Sequence, residues 1–260
     1  MRMAMRVGFV EWPENLIADS EQWLSLADDL SKTAVDILVT NELPFGPWVA
    51  ATPDFDPKLA EYSIECHRAG VAALERLNIP AVISSRPVWE GARLANEAFC
   101  LEGGEVRHLH TKQYFPAELG WYESNWYTTQ SREFQPVVVC GVCVGVLLCT
   151  EVMFNEHARH YRKQGAELIV VPRATGRTVD VFRTAGAMAS IVSGCYVVSS
   201  NRVGQGSSGP IFGGKGFACA PTGELIDMTS PENPFAVIEL DIASVKEKQK
   251  SYPCYVTEPV

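Results

Sequence analysis

Three side chains that could act together in acyl transfer each come at the end of an apolar run. Glu42 follows DILVTN (36–41), Lys112 closes EVRHLHT, and Cys149 closes VGVLL. We predict that these runs are β-strands, and the carboxyl ends of strands are where α/β sheets gather ligand sites. At such a place a thiol can attack a carbonyl carbon and a carboxylate can carry the thiol proton to a leaving nitrogen. An ammonium can stabilise the oxyanion.

The neighbours of these residues favour a catalytic interpretation over an ordinary one. A lone Glu or Lys after a strand is usually a solvated edge residue, and a cysteine that ends a strand is usually part of the core. Thr150 and Glu151 follow Cys149 at a predicted strand-to-helix turn, where the free N–H groups of a helix start would lower a thiol pKa. We expect Thr150 and Glu151 to contact a substrate. Glu42 is followed by Leu-Pro-Phe-Gly, a turn that would fix its position.

The elements that must position these residues follow from apolar periodicity and from Gly and Pro punctuation. Helices are predicted over about 15–32, 57–77, 154–164 and 178–193, the last two closed by Gly165 and Gly194. Strands are predicted over 6–10, 36–41, 79–88, 136–149 (one or two strands), 166–172, 195–201 and 235–242, with hairpins over 95–112 and 215–226. Crossovers and hairpins mix, and no repeat or linker divides the chain. The pattern predicts a single α/β domain over 1–260, with one mixed sheet or two sheets between helices.

Composition excludes several classes of function. The 260 residues carry a net charge of −9, and no basic stripe appears, which argues against nucleic-acid binding. No apolar run approaches the roughly 18 residues that a membrane span needs. The first residues are not typical of a signal peptide, so we expect a cytoplasmic protein. The eight cysteines are then expected to be mostly reduced.

Several segments, in order, resemble the motifs of the nitrilase superfamily of carbon–nitrogen hydrolases. NELPF (41–45), HTKQYFP (110–116) and GVLLCTEVMF (145–154) are similar to the segments around its catalytic Glu, Lys and Cys. QGAELIVVP (164–172) and YVVSSNRVG (196–204) are similar to later segments. The resemblance covers essentially the whole chain. It implies a four-layer α-β-β-α sandwich with two mixed sheets, a Glu42–Lys112–Cys149 triad, a thioester intermediate, and self-association as a homodimer or larger homo-oligomer.

A fourth acidic residue is also implied by the resemblance. GWYESNWY (120–127) is similar to a motif of the N-carbamoyl amidohydrolase branch, which points to Glu123 as a supporting carboxylate and to Trp121 as a wall of the substrate site. Glu118 is the rival, because FPAELGWY is similar to an aliphatic-amidase pattern. No Trp follows Cys149, which makes an amidase a better match than a nitrilase.

Other patterns could bind ligands. Cys140 and Cys143 form a C-x-x-C pair, but in one strand their side chains would lie on opposite faces, and we expect no metal. The segment 204–209 matches G-x-G-x-x-G without a helix after it, so a loop is expected there rather than a dinucleotide site. Arg173 follows a strand and could hold either a substrate carboxylate or a surface acid. Two histidines, His157 and His160, are expected to be solvated.

We therefore expect a hydrolase of a small linear amide or N-carbamoyl compound that needs no cofactor. A nitrilase or an amide-forming acyltransferase is the enzymatic alternative. A non-catalytic binding protein with the same fold is the remaining alternative.

Overall fold

The computed structural model describes residues 5–129, 133–206 and 209–257. Its strands are β1 (Met5–Val10), β2 (Ile37–Val39), β3 (Ala81–Glu90), β4 (Arg93–Glu102), β5 (Glu105–Thr111), β6 (Val137–Val139), β7 (Val142–Val146), β8 (Leu168–Arg173), β9 (Tyr196–Asn201), β10 (Val203–Gln205), β11 (Ile211–Gly213), β12 (Phe217–Cys219), β13 (Leu225–Met228) and β14 (Phe235–Leu240). Its α-helices are α1 (Glu21–Ser31), α2 (Pro57–Glu75), α3 (Glu123–Trp126), α4 (Asn155–Lys163), α5 (Val179–Ser193) and α6 (Ile242–Lys248). Short 3₁₀ turns cover Val49–Ala51 and Cys149–Met153.

Two six-stranded sheets have closely similar strand patterns. One has the order β14-β1-β2-β3-β4-β5 and the other β13-β12-β9-β8-β7-β6. In each sheet three neighbouring strands are parallel, β1-β2-β3 in the first and β7-β8-β9 in the second. The outer pairings are antiparallel. Both sheets are therefore mixed, as the resemblance implies.

The apolar side chains divide into layers. Alternate residues of the parallel strands, such as Val39 and Val170, form a core between the two sheets. On the outer face of the first sheet Leu38 packs with residues of α1 and α2. On the outer face of the second sheet Val171 packs with residues of α4 and α5. Because both faces of β2, β8 and β9 are buried, the central runs are mostly apolar in sequence. The predicted four-layer α-β-β-α sandwich is confirmed.

Several predicted helix ends are confirmed by their caps. Asp56 accepts a hydrogen bond from the N–H of Lys58 at 2.8 Å, and Pro57 occupies the first helical position of α2. Gly194 closes α5 with a φ of 67°, and Gly165 follows α4 with a φ of 87°. Among the described helices none is long and apolar enough to cross a membrane.

Three predictions of local structure were wrong. The first helix begins at Glu21 rather than near residue 15, because Ser20 accepts from Trp23 N and caps it. The 136–149 run, predicted as one or two strands, is two strands that turn at Cys140 and Gly141, so the placement of Cys140 and Cys143 in one strand was wrong. Cys140 and Gly141 have φ values of 47° and 75°, which are typical of a tight type I′ turn.

The third error concerns the G-x-G-x-x-G segment. Its described residues do not form a plain loop, because Gly204 belongs to β10, which pairs with β11 as a small antiparallel hairpin. Residues 207 and 208 of this motif lie outside the described residues.

Strand direction places the candidate residues at one edge of the sandwich. β2 is parallel to β3, β4 reverses that direction, and β5 reverses it again. The carboxyl ends of β2 and β5 therefore lie at the same edge of the first sheet. Across the sandwich, Glu42 N donates to the carbonyl of Arg173, the last residue of β8, at 3.2 Å. This hydrogen bond links the edge of the first sheet at which β2 ends to the edge of the second sheet at which β8 ends.

Candidate active site

Lys112 lies between two buried carboxylates. Its Nζ is 2.7 Å from Glu42 Oε1 and 2.5 Å from Glu123 Oε2, and all three side chains are almost fully buried. Lys112 N donates to the carbonyl of Asn96 at 2.9 Å, and this bond continues the β4–β5 pairing by one residue. Glu123 begins the short helix α3. The structure thus brings Glu123, rather than Glu118, into contact with Lys112.

Burial and charge act in opposite directions on these groups. Burial alone would lower the pKa of Lys112, but the charges of Glu123 and Glu42 hold it well above its usual value. Burial raises the pKa of Glu123 to about 7, and the charge of Glu42 adds to this, while Lys112 opposes it. Lys112 is therefore a fixed cation. Glu42 Oε2 and Glu123 Oε1 have no hydrogen-bond partner among the described residues, so each is available to a further group.

Cys149 occupies a strained position where the second sheet ends. Leu147 N donates to Val170 O at 3.0 Å, which extends the strand pairing, and Cys149 then begins a 3₁₀ turn with a φ of 52°. That left-handed conformation is costly for a residue with a Cβ and persists where the surroundings fix it. The turn places the thiol near the Lys112 cluster. Cys149 and Glu123 line the same cavity, and the charges of Glu42, Lys112 and Glu123 all act on the thiol.

The predicted lowering of the thiol pKa was wrong. Burial and the negative charge of Glu42 raise the pKa of Cys149 above its usual value, although Lys112 and a hydrogen bond with the Ala174 backbone oppose them. The physical reason is that the residue is buried and starts a short 3₁₀ turn, whereas an exposed α-helix start would have stabilised a thiolate. A neutral thiol needs a base. Glu42 is the candidate, because its charge has the strongest influence of any neighbouring charge on the Cys149 thiol.

Glu151 joins the segments that carry Lys112 and Cys149. Its Oε1 accepts from Gln113 N at 2.7 Å, and its Oε2 accepts from Leu148 N at 2.7 Å. The His110 ring nitrogen Nε2 lies 2.8 Å from Oε2. Glu151 is fully buried and does not line the cavity described below. The structure therefore places it behind the site and not at the substrate position that we had predicted.

Two residues that the sequence analysis missed hold the Glu42 segment. Asn96 Nδ2 donates to Glu42 Oε1 at 2.8 Å. Arg202, fully buried after β9, donates to the carbonyls of Leu43 and Gly46 and forms an ion pair with Glu14. Leu43 has a φ of 47°, so the chain bends sharply directly after Glu42. No pattern along the chain marked Asn96 or Arg202, because their partners are distant in sequence.

A cavity of about 140 Å³ ends at Cys149. Its lining includes the predicted residues Trp121 and Thr150, together with Glu123. The other lining residues are Pro116, Glu118, Ala174, Thr175, Gly176, Thr178 and Phe182. A wider groove of about 650 Å³ shares Pro116, Glu118, Thr150 and Phe182 with this cavity. The groove is therefore its outer mouth, and Glu118, which is exposed, lies at the boundary between the two.

Arg173 does not hold a surface acid, which was one of its two predicted roles. It is fully buried and donates to Ser199 Oγ at 2.6 Å, Thr175 Oγ1 at 3.1 Å and Lys215 O at 3.0 Å. Burial lowers its pKa to about 10. Arg173 is not among the residues that line the cavity, so its bonds brace the wall that Thr175 contributes.

The histidines behave in two ways. His157, predicted to be solvated, instead stacks on Phe134 with ring centroids 3.7 Å apart and lies 2.9 Å from the Tyr114 hydroxyl, because α4 turns it inward. His160 is exposed, as predicted. Within 5–129, 133–206 and 209–257, no group of three or more His, Cys, Asp and Glu residues could hold a metal ion.

Comparison with known proteins identifies the family. The carbon-nitrogen hydrolase family model matches residues 5–250. The chain belongs to the carbon-nitrogen hydrolase family. It is 31% identical to an (R)-stereoselective amidase from Pseudomonas sp over 52% of each chain. It is 28% identical to the N-carbamoylputrescine amidase of Solanum lycopersicum over 56% of this chain and 54% of that protein. The chain thus spans about half the length of these curated relatives.

Solved structures of carbon-nitrogen hydrolases have the same fold. A carbon-nitrogen hydrolase from Helicobacter pylori G27 superposes with a TM-score of 0.84, at 21% identity, over 96% of this chain and 94% of that chain. An amidase from Nesterenkonia sp. gives a TM-score of 0.75 at 20% identity, over 95% and 94%. A mutant of that amidase carries a covalent acetamide addition at its active-site cysteine.

Proposed function

We propose that this protein hydrolyses a non-peptide C–N bond in a small linear amide or N-carbamoyl compound. The observation that carries the proposal is the buried Lys112, bonded to both Glu42 and Glu123 beside the strained Cys149. A fixed cation, a carboxylate with an unpaired oxygen and a thiol are the three groups that acyl transfer requires. Family membership and the amidases among the relatives support the same chemistry.

The proposed reaction begins with the neutral thiol. Glu42 takes the Cys149 proton as the sulfur attacks the carbonyl carbon, and Lys112 and the Thr150 N–H stabilise the oxyanion. When the tetrahedral intermediate collapses, Glu42 gives that proton to the leaving nitrogen, and ammonia or an amine departs from a thioester. Glu42 then deprotonates a water that attacks the thioester. The acid leaves, and the proton returns to Cys149.

Glu123 is proposed as the supporting carboxylate. Its Oε2 is bonded to Lys112, while its Oε1 has no partner among the described residues and Glu123 lines the cavity. It can therefore orient the ammonium through one oxygen and accept a substrate N–H through the other. Thr150 and Trp121 also line the cavity and are proposed to contact the substrate, whereas Arg173 braces its wall.

Ammonia release from small amides, N-carbamoyl amines, N-carbamoyl amino acids and nitriles tests the proposal. The parent is compared with Cys149→Ala and with Cys143→Ala, a control cysteine that is partly buried on β7 and does not line the cavity. We expect release by the parent and the control, and loss of at least about 1,000-fold with Cys149→Ala. Full turnover by Cys149→Ala would exclude the mechanism.

The products distinguish the alternative reactions. A nitrilase would release acid and ammonia from R–CN, and an acyltransferase would form product only with an added nucleophile. A binding protein would give no turnover, and its Cys149 would not be acylated by an activated ester. A thioester adduct on Cys149 would therefore contradict the binding role.

We also propose that the protein self-associates through its helical face. Val181 and Met188 are seven residues apart on α5 and so lie on one face of the helix, where they are 57% and 46% exposed. Light scattering of the parent and of a Val181→Asp variant tests this, and a monomeric parent would contradict it.

A further inference from the structure

The cavity that ends at Cys149 has an acidic mouth. Of the described residues that line the cavity and its outer groove, only Glu118 and Glu123 carry a formal charge. Glu123 is buried and bonded to Lys112, so its charge is compensated. Glu118 is exposed, and no hydrogen bond or ion pair of its carboxylate is recorded among the described residues. The uncompensated charge that an entering molecule meets is therefore negative.

Backbone contacts hold Glu118 at this boundary. Trp121 N donates to Glu118 O at 2.8 Å, and Glu118 N donates to Trp121 O at 3.3 Å, which closes a tight turn. Gly120 inside the turn has a φ of 82°, and its carbonyl accepts from the Trp48 indole at 3.1 Å. The turn is thus bonded to the buried Trp48, and the position of Glu118 relative to Trp121 is fixed.

Cationic side chains are kept away from the lining. Lys112 is fully buried between its two carboxylates, and Arg173 is fully buried and bonded to three acceptors. Arg177 lies between two lining residues, Gly176 and Thr178, yet it is not itself part of the lining. Among the described lining residues, a substrate carboxylate would therefore meet Glu118 and no compensating cation.

We infer that Glu118 selects substrates whose end remote from the scissile carbonyl carries an ammonium or similar cation. This rests on the proposed hydrolase function and names its substrate class, a cationic amide or N-carbamoyl amine. The reactive carbonyl occupies the small inner cavity, and the cationic tail extends into the outer groove past Glu118. Phe182 and Pro116, which line both spaces, exclude part of the solvent that would otherwise screen the attraction.

Three amides of equal chain length test this inference in turnover. They end in an ammonium, a methyl or a carboxylate group, and kcat/KM is measured for each with the parent and with Glu118→Gln. We expect the parent to prefer ammonium over methyl and methyl over carboxylate. In Glu118→Gln the ammonium-to-methyl ratio should fall about two- to fivefold, as expected for one exposed ion pair. Added salt should reduce the ratio in the parent but not in the variant.

Two control variants separate position from net charge. Glu105→Gln removes the same charge at the opposite end of β5 from Lys112, and Arg177→Gln removes the neighbouring cation. Both should keep the parent's order of substrates, while Glu118→Lys should reverse it. A parent that favours the carboxylate, or a Glu118→Gln variant with an unchanged ratio, would overturn the inference.

Thiol labelling tests the same charge without any turnover. Methanethiosulfonates with an ammonium, methyl or sulfonate tail are reacted with the protein, and the labelled Cys149 peptide is quantified by mass spectrometry. The ammonium reagent should modify Cys149 fastest in the parent, and Glu118→Gln should lose that advantage. If no amide is hydrolysed but this labelling order holds, the proposed hydrolysis fails while the cation-selective mouth stands. If hydrolysis occurs and no charge order appears in either assay, only the inference about Glu118 fails.

Discussion

Lys112 is the shared partner of two buried carboxylates, Glu42 and Glu123. A buried cation without counter-charges would be costly, and the two carboxylates keep Lys112 charged in a buried site. Burial, together with the charges of Glu42 and Glu123, works against a thiolate at Cys149. At the scale of single residues, the site is therefore arranged to stabilise an oxyanion and to keep its nucleophile protonated until a base acts.

Alkylation of Cys149 should show this protonated resting state. The rate of iodoacetamide labelling is expected to rise with pH and to show no plateau below pH 9.0, the ordinary pKa of a cysteine, because the thiolate fraction is still growing there. Labelling of the Cys149 peptide is followed by mass spectrometry, with the Cys143 peptide as internal comparison. A plateau near neutral pH would show a preformed thiolate instead.

Asn96 should influence the base that it touches. Asn96→Asp removes the hydrogen bond to Glu42 Oε1 and adds a like charge beside it, which favours the protonated form of Glu42. We expect kcat/KM to fall roughly tenfold at neutral pH, and the acid limb of its pH profile to move to higher pH. Asn78→Asp, an exposed position after α2, is the control and should leave the profile in place. Coincident profiles for Asn96→Asp and the parent would contradict a contact with the base.

At the scale of elements, one side chain joins the end of β5 to the turn after β7. The Glu151 carboxylate accepts hydrogen bonds from the N–H groups of Gln113, the residue after Lys112, and Leu148, the residue before Cys149. The two strands belong to different sheets, so the carboxylate fixes the relative position of two catalytic segments. We infer a positioning role for it.

Substitution of Glu151 should therefore impair turnover more than substrate binding. Glu151→Gln keeps the shape but has one acceptor oxygen, so one buried N–H loses its partner at a cost of about 1–3 kcal/mol of unfolding free energy. We expect kcat to fall roughly 10- to 100-fold with little change in KM. Glu156→Gln on the exposed face of α4 is the matched control. A variant with parental kcat would exclude the positioning role.

At the scale of the whole molecule, Arg202 couples the two sheets. It follows β9 of the second sheet, and its guanidinium binds the bend after β2 of the first sheet and the carboxylate of Glu14. The rings of Trp48 and Phe212 lie within 6 Å of the guanidinium carbon, at 5.7 and 5.4 Å. The position of Glu42 thus depends on the correct docking of one sheet on the other.

Loss of Arg202 should destabilise the protein through the charge that it leaves behind. Arg202→Met leaves Glu14 buried without its cation, which is expected to cost about 3–5 kcal/mol of unfolding free energy. Adding Glu14→Gln should restore part of that loss, since the uncompensated charge is gone. Equilibrium urea denaturation of the two variants and the parent measures this. A double variant no more stable than Arg202→Met alone would show that packing, and not charge, accounts for the cost.

The local sequence determined which residues could react and which elements carry them. Apolar runs predicted the strands that end before Glu42, Lys112 and Cys149, and Gly165 and Gly194 marked true helix ends. Such signals lie within a few residues of one another, so they can be read along the chain. The roles of these residues, and the single domain over 1–260, stay predictions.

Tertiary structure alone decided what surrounds the reactive groups. Asn96 and Glu42 are 54 residues apart, Gln113 and Glu151 are 38 apart, and Arg202 and Leu43 are 159 apart. Tertiary structure also decided the positions of two carboxylates. Glu151, which we expected at the substrate, lies behind the site, and Glu118 lies at the mouth of the cavity and not beside Lys112. The local sequence predicted a lowered pKa for the Cys149 thiol, but burial and the charges of neighbouring residues raise it. Both depend on which strands pair and how the sheets pack, and no short segment contains that information.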